Sequence, residues 1–264
     1  MTHACCPESF TGASLSVSEI ENLDIQAGQL REVNYRNSSN REDIRSTVGG
    51  ASDRFNFLGG TYAFNSKNTT LGLWRAELQD VYGQNLIKPD SQPTRRRLEA
   101  GRQPGLVDTS DDGNQPLDID NELTSITLSA ATGAHTFRVG YQHSDGNTAF
   151  PYLAETDPYV VNYVQISTLP VPTRSPGKRA TTSTLPALGI PGLSAFTRYV
   201  SGDNFDVGGS EGSEWERVST SATPFQTGTF KNLAVRWRNA MVRSDATRDI
   251  DENRLILSYS FALK

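Results

Sequence analysis

Apolar and polar residues alternate at a period of two near the C-terminal end of the chain. Residues 233–238 place leucine, valine and tryptophan at one set of alternate positions, with Arg236 and Arg238 at the other, and residues 254–261 repeat the pattern. Side chains at i and i+2 of a strand share a face, so both runs predict strands with one apolar and one polar face. A soluble sheet covers its apolar face with a second layer, whereas a transmembrane barrel turns that face to lipid and the polar face to a wet lumen.

Ten segments share this alternation, and no stretch sustains a helical period. They are residues 12–18, 22–32, 54–64, 69–84, 121–131, 135–142, 193–201, 213–223, 231–242 and 253–262. The connections are short at 65–68, 132–134 and 226–230, and long at 34–53, 143–158, 202–212 and 243–252. Short turns on one rim and long loops on the other are typical of outer-membrane barrels. The pattern therefore predicts an all-β, antiparallel transmembrane β-barrel.

Aromatic residues fall within these segments, several of them near strand ends. They include Tyr62, Trp74, Tyr141, Tyr199, Trp237, Tyr259 and Phe261. Aromatic girdles at both membrane interfaces have this placement. Packing of strand aromatics in a soluble core is the other interpretation of the same feature.

Composition narrows the classes of function. The 264 residues are 36% hydrophobic and 21% charged, with a net charge of −5, so there is no electrostatic reason to expect a nucleic-acid partner. No run approaches the ~18 to 20 apolar residues of a spanning helix, which leaves barrel strands as the way to cross a membrane. The three histidines lack metal-ligand spacing, and neither a nucleophile elbow nor a phosphate loop occurs. We therefore expect no enzymatic activity, catalytic residue, metal or cofactor.

The first residues lack the features of an export signal. Residues 1–10 contain no charged n-region, apolar h-region or cleavage site, and they hold both cysteines, Cys5 and Cys6. A protein bound for the outer membrane must be exported. The expectation is therefore that residues 1–11 are a non-native start and that residues 12–264 form part of a barrel.

Several runs match one known family in order and spacing, and no single short motif carries the match. They are residues 12–15, 23–28, 57–63, 76–82, 134–137, 192–193, 198–202 and 253–259. In these runs the chain resembles the C-terminal part of the substrate-specific outer-membrane porins of the OprD family, which are barrels of about 18 strands. The resemblance implies passive, selective uptake of small polar solutes, either amino acids or organic carboxylates, across the bacterial outer membrane. Outer-membrane lipid and lipopolysaccharide would surround the barrel, which could be a monomer or a trimer.

The resemblance also implies a ladder of basic side chains along one wall of the lumen. Arg236, Arg238 and Arg254 match its rungs, and Arg198 is a further candidate. The alternation places Arg236 and Arg238 on the lumen side independently of the resemblance. A charged guanidinium in a wet pore can pass a carboxylate to the next bidentate site. The alternative is that these arginines pair with lumen acids and brace the wall.

One long loop folds inward in this family to narrow the pore, and residues 159–167 resemble it. The match rests on Asn162, Val164, Gln165 and Ser167, with Tyr163 among them. Relatives that resemble basic-amino-acid channels carry an acidic residue directly after the serine, where this chain has Thr168. Loss of that carboxylate is expected to weaken any preference for cations. The candidate constriction residues are Asn162, Tyr163, Gln165 and Ser167.

Two windows, residues 86–105 and 168–186, do not alternate and are rich in proline and basic residues. Proline removes a ladder donor, which is costly in lipid. Topology nevertheless requires an odd number of strands in the second window, and the resemblance puts two in the first and one in the second. We therefore predict that both windows, with residues 1–7 and 262–264, are translated out of frame. If they are genuine basic loops, Arg95–Arg97 would suit a lipopolysaccharide phosphate.

The competing class is a soluble, secreted β-sandwich that binds carbohydrate or another protein. Such a fold would bury the apolar positions of the two C-terminal runs in one core instead of exposing them. Detergent dependence separates the two classes, because a sandwich folds in plain buffer.

Overall fold

The computed structural model describes residues 8–64, 68–91, 94–95, 98–113, 117–132, 135–158, 160–166, 175–186, 192–207, 209–225 and 227–261. Among these residues, no helix is long and apolar enough to span a membrane. Cys5, Cys6, Arg96, Arg97, Ser167 and Thr168, which the sequence analysis singled out, lie outside the described residues.

The described chain consists of strands joined by turns and loops. The strands are β1 (Ser9–Ile20), β2 (Leu23–Asn34), β3 (Ile44–Arg45), β4 (Ala51–Ser52), β5 (Phe55–Phe64), β6 (Thr69–Leu78), β7 (Tyr82–Ser91), β8 (Thr94–Arg95), β9 (Leu98–Asp111), β10 (Asp120–Thr132), β11 (His135–Gly146), β12 (Ser175–Pro186), β13 (Ser194–Val207), β14 (Ser210–Pro224), β15 (Leu233–Ser244) and β16 (Ile250–Tyr259).

The long strands form one antiparallel sheet in which each strand pairs with the next along the chain. Its order is β1-β2-β5-β6-β7-β9-β10-β11-β12-β13-β14-β15-β16, and β8 adds a short pairing to β9. The hairpin β3–β4 stands apart from it. This single meander confirms the predicted antiparallel barrel architecture. It overturns the β-sandwich alternative, because a sandwich needs two packed sheets.

The two faces of this sheet differ as the alternation predicts. Trp237 pairs with Leu255 and is 46% exposed, while Leu255 and Leu257 are 69% and 64% exposed. Arg238 pairs with Arg254 on the opposite face. We call the face that carries Arg238 the inner face, because the loop after β11 lies on it, and the other the outer face. The outer face presents its apolar side chains to the surroundings, as a lipid-facing surface does.

Two connections differ from the prediction. Residues 69–84 form two strands rather than one, because the chain turns at 79–81, where Asp80 adopts a positive φ of 60°. The turn is so short that the alternation of apolar and polar residues continues across it, and the sequence pattern therefore does not reveal it. The predicted loop 202–212 is instead the end of a hairpin, since β13 extends to Val207 and β14 begins at Ser210. A polar strand end beyond the bilayer has the composition of a loop, which accounts for the difference.

Strands are present in both atypical windows. β7 and β9 enter the first window, with the two-residue β8 between them, and β12 lies in the second. The two long strands in the first window and the one in the second agree with the expectation. Backbone pairing with β6 and β10 holds β7 and β9 in place, and pairing with β11 and β13 holds β12.

A hydrophobic cluster lies at the rim that carries the long loops. Its buried members are Val33, Tyr35, Ile44, Leu78, Val81, Tyr82 and Ile119. Leu153 and Ala154, from the loop after β11, pack against this cluster. The cluster therefore fixes the first half of that loop and the β3–β4 hairpin to the wall of the sheet.

Most of the aromatic residues expected in a girdle lie on the outer face. Five of them are exposed there: Tyr62, Tyr141, Tyr199, Trp237 and Tyr259. Trp74 is different, because it points to the inner face and lines a cavity. Its ring lies over Gly59 of the neighbouring strand, where a Cβ would overlap the indole. The assignment of Trp74 to a girdle is therefore wrong, and the indole instead packs closely against Gly59.

Candidate functional site

The loop after β11, described at residues 147–158 and 160–166, lies across the inner face. We call it the inner loop. In its first half, the Gln84 side chain donates to the Pro151 carbonyl at 2.7 Å. Tyr152 of the loop exchanges two hydrogen bonds with Thr47, which lies between β3 and β4: the Thr47 N–H donates to the Tyr152 carbonyl at 3.0 Å, and the Tyr152 N–H donates to the Thr47 hydroxyl at 3.2 Å. These contacts hold the loop against the wall that β7 and the hairpin provide.

The second half of the inner loop reaches the opposite wall. The buried Glu216 carboxylate of β14 accepts hydrogen bonds from the backbone N–H groups of Gln165 and Ile166, both at 3.0 Å. Val164 packs against Val200 of β13 in a small buried cluster. The Gln165 side chain donates to Glu252 of β16. The loop therefore bridges the inner face from β7 to β16.

The candidate constriction residues lie along this bridge, except Ser167, which lies outside the described residues. Asn162 and Gln165 are buried, and the Asn162 backbone N–H donates to Gln142 of β11 at 3.3 Å. The Tyr163 hydroxyl donates to Asp157 at 2.7 Å. Burial and this hydrogen bond raise the pKa of the Tyr163 phenol, which stays protonated and keeps donating. Their role in narrowing a pore stays a prediction.

The four predicted ladder arginines all belong to the inner face by strand register. Arg238 is directly opposite Arg254, and Arg236 is two residues along the same strand. Arg198 pairs with Val218, which in turn pairs with Ala240, two residues from Arg238. The structure thus brings the four side chains onto one wall formed by β13 to β16.

These arginines differ in their partners. Arg254 forms an ion pair with Glu252, including a 2.6 Å hydrogen bond. Arg198 donates to the Val161 carbonyl of the inner loop. Within the part of the chain that the structure describes, neither Arg236 nor Arg238 forms an ion pair. Arg254 is therefore paired with an acid of the wall, as the bracing alternative requires, while a role of Arg236 and Arg238 in binding a solute stays a prediction.

The sequence analysis missed a fifth arginine on the same face. Arg138 of β11 shares a register level with Arg198, and Thr182 of β12 lies between them. Arg138 is exposed and lines the larger cavity. The signal was present in residues 135–142, because apolar residues at 137, 139 and 141 assign Arg138 to the opposite face.

The carboxylates that hold the inner loop were also missed. Both point to the inner face. Glu216 of β14 pairs with Val242 of β15, and Glu252 of β16 pairs with Ala240 of β15. Alternation predicts their face, but which loop atoms they meet depends on how the loop crosses the lumen. Strand patterns contain no information on that path.

Two cavities flank the inner loop. The larger, about 570 Å³, lies between the loop and strands β6 to β13, and its cations are Lys88, Arg138 and Arg198. The smaller, about 200 Å³, is lined by Asp157, Tyr163, Val164, Gln165, Phe196, Arg198, Val218 and Arg238. Arg198 contributes to both. The arrangement can therefore offer guanidinium groups to a solute on either side of the loop.

Metal ligation has no candidate among the residues that the structure describes, since no three or more His, Cys, Asp or Glu side chains form a suitable group. The charged groups that the inner face presents are instead arginines, Lys88 and carboxylates. Their available chemistry is charge-assisted hydrogen bonding in contact with water.

Several proteins of Pseudomonas are similar to this chain in sequence and in structure. Porin-like protein GalP of Pseudomonas putida is 32% identical over 263 residues, which cover 97% of this chain and 63% of that relative. The crystal structure of Pseudomonas aeruginosa OpdO has a TM-score of 0.91 and 37% identity, over 97% of this chain and 70% of OpdO. Pseudomonas aeruginosa OpdK, crystallised with vanillate, has a TM-score of 0.89 and 30% identity, over 96% and 68% of the two chains.

This chain spans less than two thirds of the length of GalP. A family model described as "outer membrane porin, OprD family" matches residues 3–263, nearly the whole chain. The meander of antiparallel strands and the apolar outer face agree with that match. The chain belongs to the OprD family of outer membrane porins.

Proposed function

We propose that this protein conducts small carboxylate-bearing solutes passively through the outer membrane, along the arginines of its inner face. The observation that carries the proposal is the set of Arg138, Arg198, Arg238 and Arg236 on one wall beside the inner loop. A guanidinium presents a planar fork that matches a carboxylate. Charged lumen groups that bind a permeant weakly and at several sites favour both entry and release.

The spacing of these arginines suits stepwise transfer. Strands lie ~4.8 Å apart, so Arg138 and Arg198, which are two strands apart in register, have Cα atoms about 10 Å apart. Arg236 and Arg238 are separated by two residues of one strand, or about 7 Å. Long, flexible side chains cover such gaps, so that a carboxylate can engage the next guanidinium before it leaves the last.

The solute class is supported by chemistry and by one relative. The larger cavity combines three cations with apolar side chains, among them Trp74, Leu86 and Phe150. Such a lining suits an organic anion better than an inorganic one. OpdK, a structural neighbour, was crystallised with vanillate, which is an aromatic carboxylate. No catalytic step is part of the proposal, because the arginines bind and release the solute unchanged.

The test is solute flux through the porin in liposomes. Swelling is measured in propanoate and in a neutral sugar of similar size, for the unaltered protein and for the double variant R138Q/R238Q. The variant should swell about tenfold more slowly in propanoate and unchanged in sugar, because it lacks two unpaired cations of the path. Equal loss for both solutes would mean a blocked or misfolded pore and would overturn the carboxylate path.

Arg217→Gln provides the matched control. Arg217 lies on β14 but on the outer face, where it donates to Asn239 at 3.3 Å. Its removal takes one positive charge, where the double variant loses two, from the outer face of the sheet and leaves the inner face unchanged. Propanoate flux through R217Q should equal that of the unaltered protein, and a drop would assign the effect to overall charge.

A further inference from the structure

A row of polar side chains crosses the outer face of the last four strands. Its members are Thr197 of β13, Ser219 of β14, Asn239 of β15 and Asn253 of β16, which are register partners from each strand to the next. The Thr197 and Ser219 hydroxyl groups are hydrogen-bonded to each other at 3.1 Å, and the Asn239 amide donates to the Asn253 side chain at 3.2 Å. We call these four residues the polar row.

The polar row lies at a depth where lipid tails are expected. Asn239 is six residues from Leu233, where β15 begins, and Asn253 is six residues from Tyr259, where β16 ends at the same rim. At ~3.4 Å per residue and a tilt of ~40°, six residues rise about 16 Å, which is within the ~25 Å apolar band of an outer-membrane barrel. Trp237, the next outer-face residue of β15 toward that rim, is a large exposed aromatic. The row is therefore a polar interruption of a lipid-facing surface.

Lipid tails would leave part of this surface without hydrogen-bond partners. Among the residues that the structure describes, none accepts a hydrogen bond from the Asn253 amide nitrogen, and none pairs with the hydroxyl of Ser221, the outer-face neighbour of Ser219. A single hydrogen bond joins Thr197 to Ser219, so one of their two hydroxyl hydrogens is also unused. Such groups are unfavourable in hydrocarbon, which offers neither donors nor acceptors. The row therefore favours a neighbour that can both donate and accept.

We propose that the polar row is the interface through which two copies of this porin associate in the membrane, around a twofold axis along the membrane normal. Hydroxyl and carboxamide groups both donate and accept, so a surface made of them is complementary to itself, as a twofold interface requires. The row carries no formal charge, so two copies do not repel each other across it. Because the strands are tilted, the two rows cross, and the central residues Ser219 and Asn239 meet their own copies.

The first test measures association of the whole porin in lipid vesicles that contain no lipopolysaccharide. Energy transfer between donor-labelled and acceptor-labelled copies should rise with the protein-to-lipid ratio. A hydrogen bond between side chains embedded in a membrane changes an association constant about threefold, and a twofold axis doubles every contact. The variant N239L should therefore raise the dissociation constant of the pair about tenfold.

The matched control is N85L. Asn85 lies on the outer face of β7 and accepts a hydrogen bond from Arg75 at 3.0 Å, just as Asn239 accepts one from Arg217. N85L removes the same amide from a different wall and should leave the dissociation constant unchanged. An equal dissociation constant for N239L and the unaltered porin would overturn the proposal.

The second test locates the interface by disulfide cross-linking in the same vesicles. With Cys5 and Cys6 replaced by serine, S219C and N239C should each give a disulfide-linked dimer on oxidation, because each residue meets its own copy near the axis. L58C, at an exposed outer position of β5, should stay monomeric. Cross-linking of L58C as efficient as that of S219C would contradict the proposed interface. Association that requires added lipopolysaccharide would also contradict it, since the row would then contact lipid rather than a second copy.

Discussion

Arg238 and Arg254 are directly opposite each other on β15 and β16, yet among the residues that the structure describes only Arg254 of the two is paired with a carboxylate, that of Glu252. Two like charges at adjacent sheet positions repel each other. Glu252 relieves that repulsion by neutralising one of them and, through Gln165, ties the same pair to the inner loop. Arg254 is thus paired within the wall, whereas Arg238 lines a cavity of the inner face.

This relationship predicts unequal effects on ion selectivity. R238Q removes an unpaired lumen cation, whereas the double variant R254Q/E252Q removes a cation together with the carboxylate that cancels its field. The shift of the reversal potential in a KCl gradient toward cation selectivity should be about twofold or more larger for R238Q than for R254Q/E252Q. The measurement should be made at low ionic strength, because salt screens these charges. A larger shift for R254Q/E252Q would contradict the assignment.

Glu216 should control the width of the pore. E216A leaves the N–H groups of Gln165 and Ile166 without their acceptor, and each unsatisfied buried donor costs about 1–3 kcal/mol. The end of the inner loop should leave the wall, so single-channel conductance should change and current noise should rise.

The control for this variant is E211A. Glu211 lies on the same strand but is exposed, and its removal should leave conductance and noise unaltered. If E216A channels are as quiet as the unaltered ones, the carboxylate does not hold the loop.

The two faces of β16 should respond oppositely to a charge. Leu255 is exposed on the outer face, and an arginine there should destabilise the inserted protein by about 2–4 kcal/mol near the bilayer midplane. Ile256→Arg places the same charge on the inner face beside Arg236, where it should cost under about 1 kcal/mol. Urea unfolding from lipid vesicles measures both. Similar costs at the two positions would mean that the faces are assigned wrongly.

Gly59 and Trp74 should be energetically coupled. G59A adds a methyl group where the indole lies, and such overpacking costs about 1–3 kcal/mol. In the W74L background the same substitution should cost much less, because the obstructing ring is gone. A double-mutant cycle from unfolding measurements gives the coupling energy, and additive costs would rule out this packing.

The atypical windows give a prediction at the level of the gene. β7 and β9 enter window 86–105 and β12 lies in window 168–186, but the two windows are poor in the alternation that the other strands show. We propose that they are translated out of frame. Resequencing the source DNA should reveal a frame in which both windows alternate. An intact frame across both would show that the porin wall accepts these proline-rich and basic strands.

Sequence patterns could predict the sheet and the faces of its strands, because both follow from a local period of two. That rule placed Arg236 and Arg238 correctly, and applied to residues 135–142 it would also have placed Arg138. It could not predict the turn at 79–81, nor that β13 and β14 continue to Val207 and from Ser210, because a polar strand end and a loop have the same composition. The cavities depend on where the inner loop crosses, which is set by contacts such as that of Gln165 with Glu216.

Those loop contacts also set the order of assembly. The inner loop meets Thr47, 105 positions earlier in the chain, and Glu252, 87 positions later than Gln165. Contacts between such distant parts of a chain form slowly, because the entropy of closing the intervening segment must be overcome first. The loop can take its final place only after β16 has joined the sheet. An early folding intermediate should therefore have a complete wall and an open lumen, and the selective path should appear last.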